Sequence, residues 1–108
     1  MSKPLVIIES RYAGDVERNV AYAKRCMKDS LGRGEVPFAS HLLYTQVLDD
    51  TQPADRKLGM DAGFEVLSRS DYSVVYTDYG FSEGMKEGIA TAENLGHKIE
   101  YRSIGENP

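Results

Sequence analysis

Cysteine occurs once, at Cys26. A single thiol excludes an internal disulfide and a cysteine-based zinc site, and it fits a reducing cytoplasm. Basic residues are in the minority: 13 Lys and Arg against 17 Asp and Glu leave a net charge of −4. A dedicated nucleic-acid binder presents a basic face, and no Lys/Arg cluster supplies one, so no nucleic-acid partner is expected. No apolar run approaches membrane length, which argues against a membrane partner. The opening MSKPLVIIES runs straight into an apolar strand rather than the pattern of a signal peptide, so the expected location is cytoplasmic. Also missing are a GxGxxG fingerprint, a P-loop, a nucleophile elbow and any metal-ligand spacing. Neither a metal nor another cofactor is expected. There is no internal repeat, linker or low-complexity segment.

What remains is ordinary globular chemistry. With 108 residues, the expectation is one domain spanning 1–108 around one modest core. Leu5-Val6-Ile7-Ile8 is apolar without alternation, as a central strand covered on both faces would be. Asp15 caps a helix on which Val16, Val20, Ala23, Met27 and Leu31 form an apolar stripe, and Gly32 and Gly34 stop it. Cys26 lies beside that stripe and reads as core. Glu35–Ala39 is a short second strand in which Pro37 suits an edge or a strand start. The following Ser40–Leu48 is rich in large apolar groups without a clean period. Some of Leu42, Leu43, Tyr44, Val47 and Leu48 are expected to pack against another subunit, giving a dimer or larger.

Thr51 is a plausible cap for a helix over about Ala54–Ser68, with two adjoining apolar rows, Leu58/Ala62/Val66 and Met60/Phe64/Leu67. Tyr72–Thr77 is a buried strand, followed by a polar turn and a helix that Ser82 caps. Asn94 and Gly96 end that helix, His97–Arg102 is the last strand, and the tail Gly105–Pro108 reads as loose. His97, at a helix end, reads as solvated. The order βαβαβαβ predicts a compact Rossmann-like or flavodoxin-like α/β fold. Its four-stranded sheet should be mainly parallel, with helices on both faces.

Parallel strands place their C-terminal ends on one edge, where ligands of open α/β sheets sit. Three loops should meet there: Ser10-Arg11-Tyr12, Ser40-His41, and Asp78 through Gly84. At the third, free N–H groups of a helix start attract an anion or a sugar hydroxyl, and Gly84 leaves them approachable. The gathered groups suit a nucleoside or nucleotide. Rings stack on a base, carboxylates take ribose hydroxyls, and Arg11 with the helix N–H groups takes phosphate. The plainer reading, a βα turn with a capping serine and a structural histidine at His41, stays open beside it.

Several short segments carry a family resemblance: Tyr12-Ala13-Gly14, Pro37-Phe38-Ala39-Ser40-His41, the Asp71 strand, and Ser82-Glu83-Gly84-Met85 followed by Gly88 and Ala90. Over nearly its whole length the chain resembles the nucleoside 2-deoxyribosyltransferase-like group, in particular small uncharacterised domains common in bacteria and their phages. The resemblance implies that a glutamate directly after the Gly-Met pair attacks the sugar's anomeric carbon. Aligned without a gap, that position holds Lys86, and Glu87 comes one residue later. One residue turns a helical side chain by roughly 100°, and a lysine cannot form a glycosyl-carboxylate intermediate, although it offers charge to a phosphate.

The leading expectation is therefore a module that binds, or sequesters, a nucleotide-derived small molecule such as an ADP-ribose-type signal without turnover. Its ligand residues would be Ser10, Arg11, Tyr12, Ser40, His41, Asp78, Ser82, Gly84, Met85 and Lys86. One alternative is an N-glycosidic hydrolase or transferase with Glu87 as nucleophile and Asp78 as proton donor or sugar anchor. The other is a structural domain with an empty edge.

Overall fold

The computed structural model describes residues 2–106, so Asn107 and Pro108 of the expected loose tail lie outside the described residues. Four parallel strands form one sheet in the order β2-β1-β3-β4: β1 Leu5–Glu9, β2 Val36–Phe38, β3 Tyr72–Tyr76 and β4 Ile99–Arg102. Register places Ile7 beside Phe38, Glu9 beside Val75, and Val75 beside Tyr101. Pro37 falls on the edge strand β2, where its missing N–H costs no central ladder bond.

Alternate residues of β1 point to opposite faces. Val6 and Ile8, with Val74 and Tyr76 of β3, pack on Tyr22 and Cys26 of α1 (Val16–Gly32). Ile7 packs on Leu67 of α3 (Pro53–Ser68) and Ala92 of α4 (Glu83–Asn94). The chain thus leaves β1 over one face to reach β2, then returns over the other face to β3 and β4. The direction reverses between β1 and β3, and the C-terminal ends of these two strands part there to leave a crevice.

Several sequence expectations shift. The buried face of α1 is Asn19, Tyr22, Ala23, Cys26 and Ser30, while Val16 and Leu31 of the expected stripe are exposed. Polar groups can occupy that face because they are satisfied: the Asn19 amide donates to the carbonyls of Tyr12 and Ala13, and the Ser30 hydroxyl donates to Glu35. Thr51 does not cap α3. Its hydroxyl donates to Asp49, the N-cap is Gln52 without a side-chain bond, and Pro53 opens the helix. Leu58 is 61% exposed and Leu67 alone on α3 is fully buried, so the wide buried face is narrower than expected.

Ser40–Leu48 folds back on its own chain as a short helix α2 (Ser40–Leu43) and a 3-10 turn (Tyr44–Gln46) against α3. There Gly59 leaves room for Leu48 and Tyr44. The last strand begins at Ile99 rather than His97, and His97 is part-buried with an unpartnered Nδ1 instead of fully solvated. The segment through Glu106 is tied down rather than loose, by a mechanism that involves Asp78.

Candidate functional site

A cavity of about 520 Å³ opens at the crevice between the ends of β1 and β3. That volume lies within the range of small-molecule sites. Its walls are the segment after β1 (Glu9–Gly14), α2 with its 3-10 turn, the first turns of α3, and Phe81–Met85 at the start of α4. Ser10, Arg11, Tyr12, Ser40, His41, Ser82, Gly84 and Met85 all line it, as the meeting of loops predicts.

These residues are held by specific contacts. Ser10 is buried, and a hydrogen bond of 2.7 Å joins its Oγ to His41 Nε2. Burial pushes His41 down to about 4, so at neutral pH its ring is uncharged and offers one donor and one acceptor. Arg11 reaches across the crevice, where Nη2 donates to the Phe81 carbonyl at 2.8 Å; its Nε is buried without a partner. Ser82 caps α4 as expected, accepting the Met85 N–H at 3.3 Å. Ser40 sits against α3 at Gly63, where a Cβ would lie 3.1 Å from its hydroxyl.

Three expected residues are not brought to the cavity. Asp78 turns to the opposite side of β3, where it accepts the Tyr22 hydroxyl (2.6 Å), the Ser103 hydroxyl (2.7 Å) and the N–H groups of Ile104 (3.0 Å) and Glu106 (2.8 Å). Burial alone would raise its pKa. Those donors outweigh it and hold the carboxyl well below the usual range. Asp78 therefore anchors the C-terminal segment, which corrects its expected place among the ligand residues. Lys86 is exposed and pairs with Glu83 at 3.4 Å, one turn along the outer face of α4. Glu87 is also exposed, its carboxylate 4.0 Å from Arg56 Nη2, and neither Lys86 nor Glu87 lines the cavity.

The cavity has residues that the sequence reading did not single out. Arg56 of α3 is half-buried between Asp50 (3.9 Å) and Glu87 (4.0 Å), a cation only loosely engaged. Phe81 adds an aromatic ring, as does Tyr44, which was expected among groups packing against another subunit, and Asp50 and Asp55 add carboxylates. Glu9 ends the central strand on the face of Ile7, at the junction of the main cavity and a 60 Å³ recess under α3 and α4. Burial raises its pKa from 4.5 to about 8. The sequence signals were an acidic residue closing a wholly apolar strand and a glycine inside the facing helix, Gly88. Among the described residues no group of three or more His, Cys, Asp or Glu is placed to hold a metal ion. No helix of the described residues is long and apolar enough to cross a membrane.

The family model described as Domain of unknown function (DUF7768) matches residues 4–102. No curated protein matches. Among solved structures, this fold is similar to that of the 2-deoxyribosyltransferase from the psychrotolerant bacterium Bacillus psychrosaccharolyticus. The TM-score is 0.67 at 14% identity, covering 96% of this chain and 76% of that one. A likeness at that identity shows the fold relationship that the short motifs led us to expect.

Proposed function

We propose, for this chain that belongs to the family described as Domain of unknown function (DUF7768), that the 520 Å³ cavity holds a nucleotide-derived small molecule without turning it over. The observation that carries this reading is the combination of a formed cavity with a displaced nucleophile position. Lys86 and Glu87 lie on the solvent side of α4, outside the lining. The lining itself suits such a ligand. Arg11, Arg56 and the free N–H groups of the α4 start offer positive charge for phosphate. Tyr12, Tyr44 and Phe81 offer rings for a base, and Asp50 and Asp55 offer acceptors for ribose hydroxyls. An ADP-ribose-type signal is one member of this class, and its sequestration is the role we infer from the resemblance carried by the short motifs. Thermal-shift measurement against a millimolar panel of nucleosides and nucleotides tests the reading: a rise in Tm with at least one is expected. A flat response across the panel overturns it.

The second reading is cleavage or transfer of an N-glycosidic bond with Glu87 as nucleophile. The contact that favours it is that of Glu87 with the cavity residue Arg56, whose Nη2 lies 4.0 Å from the carboxylate. Glu87→Gln with undiminished turnover sinks it. We also propose that at least two copies associate through the α2–α3 side, where Leu43, Val47 and Leu58 are exposed. Light scattering is expected to give twice the 12.0 kDa chain mass or more, and a monomer contradicts it.

A further inference from the structure

Glu9 is placed unlike any other acid in the chain. Its backbone is the last residue of the central strand, paired with Val75, and its side chain shares the face of Ile7. The carboxyl is packed against Gly88 of α4: a Cβ at Gly88 would lie 2.7 Å from Glu9 Cδ, so only glycine leaves this space. Below it the recess is lined mainly by apolar Ile7, Phe38, Met60, Phe64 and Leu67, with Ser40 the other polar side chain besides Glu9. Above it is the main cavity.

The charged and titratable groups around that cavity do not neutralise it. From the segment after β1, Arg11 is engaged with the Phe81 carbonyl. From α2, His41 is neutral and bonded to Ser10. From α3, Arg56 lies toward Asp50 and Glu87, and Asp55 accepts the Asp49 N–H. At the start of α4, Glu83 pairs with Lys86. Among the described residues, none makes a hydrogen bond or an ion pair to the Glu9 carboxyl, and burial is the sole cause of its raised pKa.

We propose that Glu9 meets the ligand as a neutral carboxylic acid, donating one hydrogen bond and accepting another along the edge of a nucleobase. A protonated carboxyl carries one O–H donor beside one C=O acceptor. Nucleobases present the complement, a ring nitrogen acceptor beside an amino or imino donor, in the same plane and at matching spacing. Sugars and phosphates do not present that planar pair. The partly apolar floor would hold the base flat against the sheet, leaving the phosphate for the α4 start and Arg56. A neutral acid in such a site is consistent with the nucleotide reading above, on which this inference rests, and gives that reading a specificity element. A buried polar pair that recognises donors and acceptors rejects ligands that lack them.

The test is calorimetric binding of the nucleoside monophosphates and of ribose 5-phosphate to wild type and E9Q, followed across pH. At least one monophosphate is expected to bind tenfold or more tightly than ribose 5-phosphate. In wild type its affinity should fall roughly tenfold per pH unit above about pH 8, as Glu9 ionises. In E9Q, whose amide keeps one donor and one acceptor and does not titrate, the fall should vanish. At about pH 9, E9Q should then bind roughly tenfold more tightly than wild type. Loss of binding in E9Q at every pH, or a flat wild-type profile, overturns the inference and leaves nucleotide binding standing. Ribose 5-phosphate binding as tightly as every monophosphate also overturns it, with a sugar-phosphate site surviving. No binding by any of these probes overturns the inference and the nucleotide reading together.

Discussion

Asp78→Ala tests how the C-terminal segment is held. The substitution removes the acceptor of four hydrogen bonds, from the hydroxyls of Tyr22 and Ser103 and from the N–H groups of Ile104 and Glu106. The two N–H groups and the Ser103 hydroxyl can turn to water, which softens their loss. The Tyr22 hydroxyl still accepts the backbone N–H of Asp78 at 3.0 Å, but its own O–H loses its acceptor and cannot reach water, because Tyr22 is fully buried beneath Tyr79, whose ring lies 4.7 Å away edge-on. A buried donor left without an acceptor costs about 1–3 kcal/mol, and hydrogen bonds to a charged group contribute about 1.5–3 kcal/mol each before re-solvation. We therefore expect a loss of about 3 kcal/mol in urea denaturation, a large share of the stability of a domain this size. By differential scanning calorimetry this should appear as a fall in Tm of roughly 15 °C. Amides of residues 103–106 should also exchange faster in the variant. Nucleotide affinity, measured where the variant is folded, should be unchanged, because Asp78 does not face the cavity. Refutation would be a loss below about 1 kcal/mol, or a variant of normal stability that no longer binds nucleotide.

The buried ion pair of Glu35 with Arg102, 2.6 Å between Oε2 and Nη2, makes a second target. Arg102→Met should cost about 3–5 kcal/mol in urea denaturation, because it strands a buried carboxylate. The guanidinium bond, aided by the Tyr72 and Ser30 hydroxyls, holds Glu35 at about 2, below its usual 4.5. Its contribution is therefore complete above pH 4.5 and is lost as pH falls through 2, so Arg102→Met should move the acid-unfolding midpoint upward. Glu9 has the opposite sign. Raised to about 8, it favours folding when protonated, and wild type should lose stability relative to Glu9→Gln as pH rises from 4.5 to 8. At about 1.4 kcal/mol per tenfold change in proton affinity the full difference approaches roughly 5 kcal/mol, an upper end because cavity water reaches the group. Denaturation of both proteins at several pH values reads it directly, and parallel profiles refute it. Gly88→Ala, whose methyl displaces the Glu9 carboxyl toward cavity water, should flatten the same dependence.

The fold was legible where one physical signal dominated. Val6-Ile7-Ile8 has no polar position, so β1 had to be covered on both faces, and it lies at the sheet's interior. Ser82 before a helical stretch of small residues has few roles other than a cap, and it takes that role. Cys26 is fully buried, with its thiol pushed up to about 12 by burial, as a core cysteine beside an apolar stripe should be. The α1 register was less legible, because Asn19 and Ser30 are buried through bonds to the segments just before and just after the helix, which no periodicity encodes. Asp78 misled for a related reason. The end of a parallel strand is where ligand groups sit, but a residue there points to either side, and four residues distant in sequence claimed its carboxylate. Glu9 was overlooked because its signal is split between two places, an acid closing β1 and the glycine, 79 positions later, that makes room for it.

The central claim is that the cavity binds a nucleotide-type molecule and leaves it intact. Its most direct test is incubation of the purified protein with a mixture of nucleosides, nucleotides and cyclic ADP-ribose-type compounds, read by mass spectrometry before and after heat denaturation. The account predicts that a compound disappears from solution and returns unchanged when the protein is denatured. Conversion of that compound to a free base and a sugar would contradict it and place Glu87 at the chemistry.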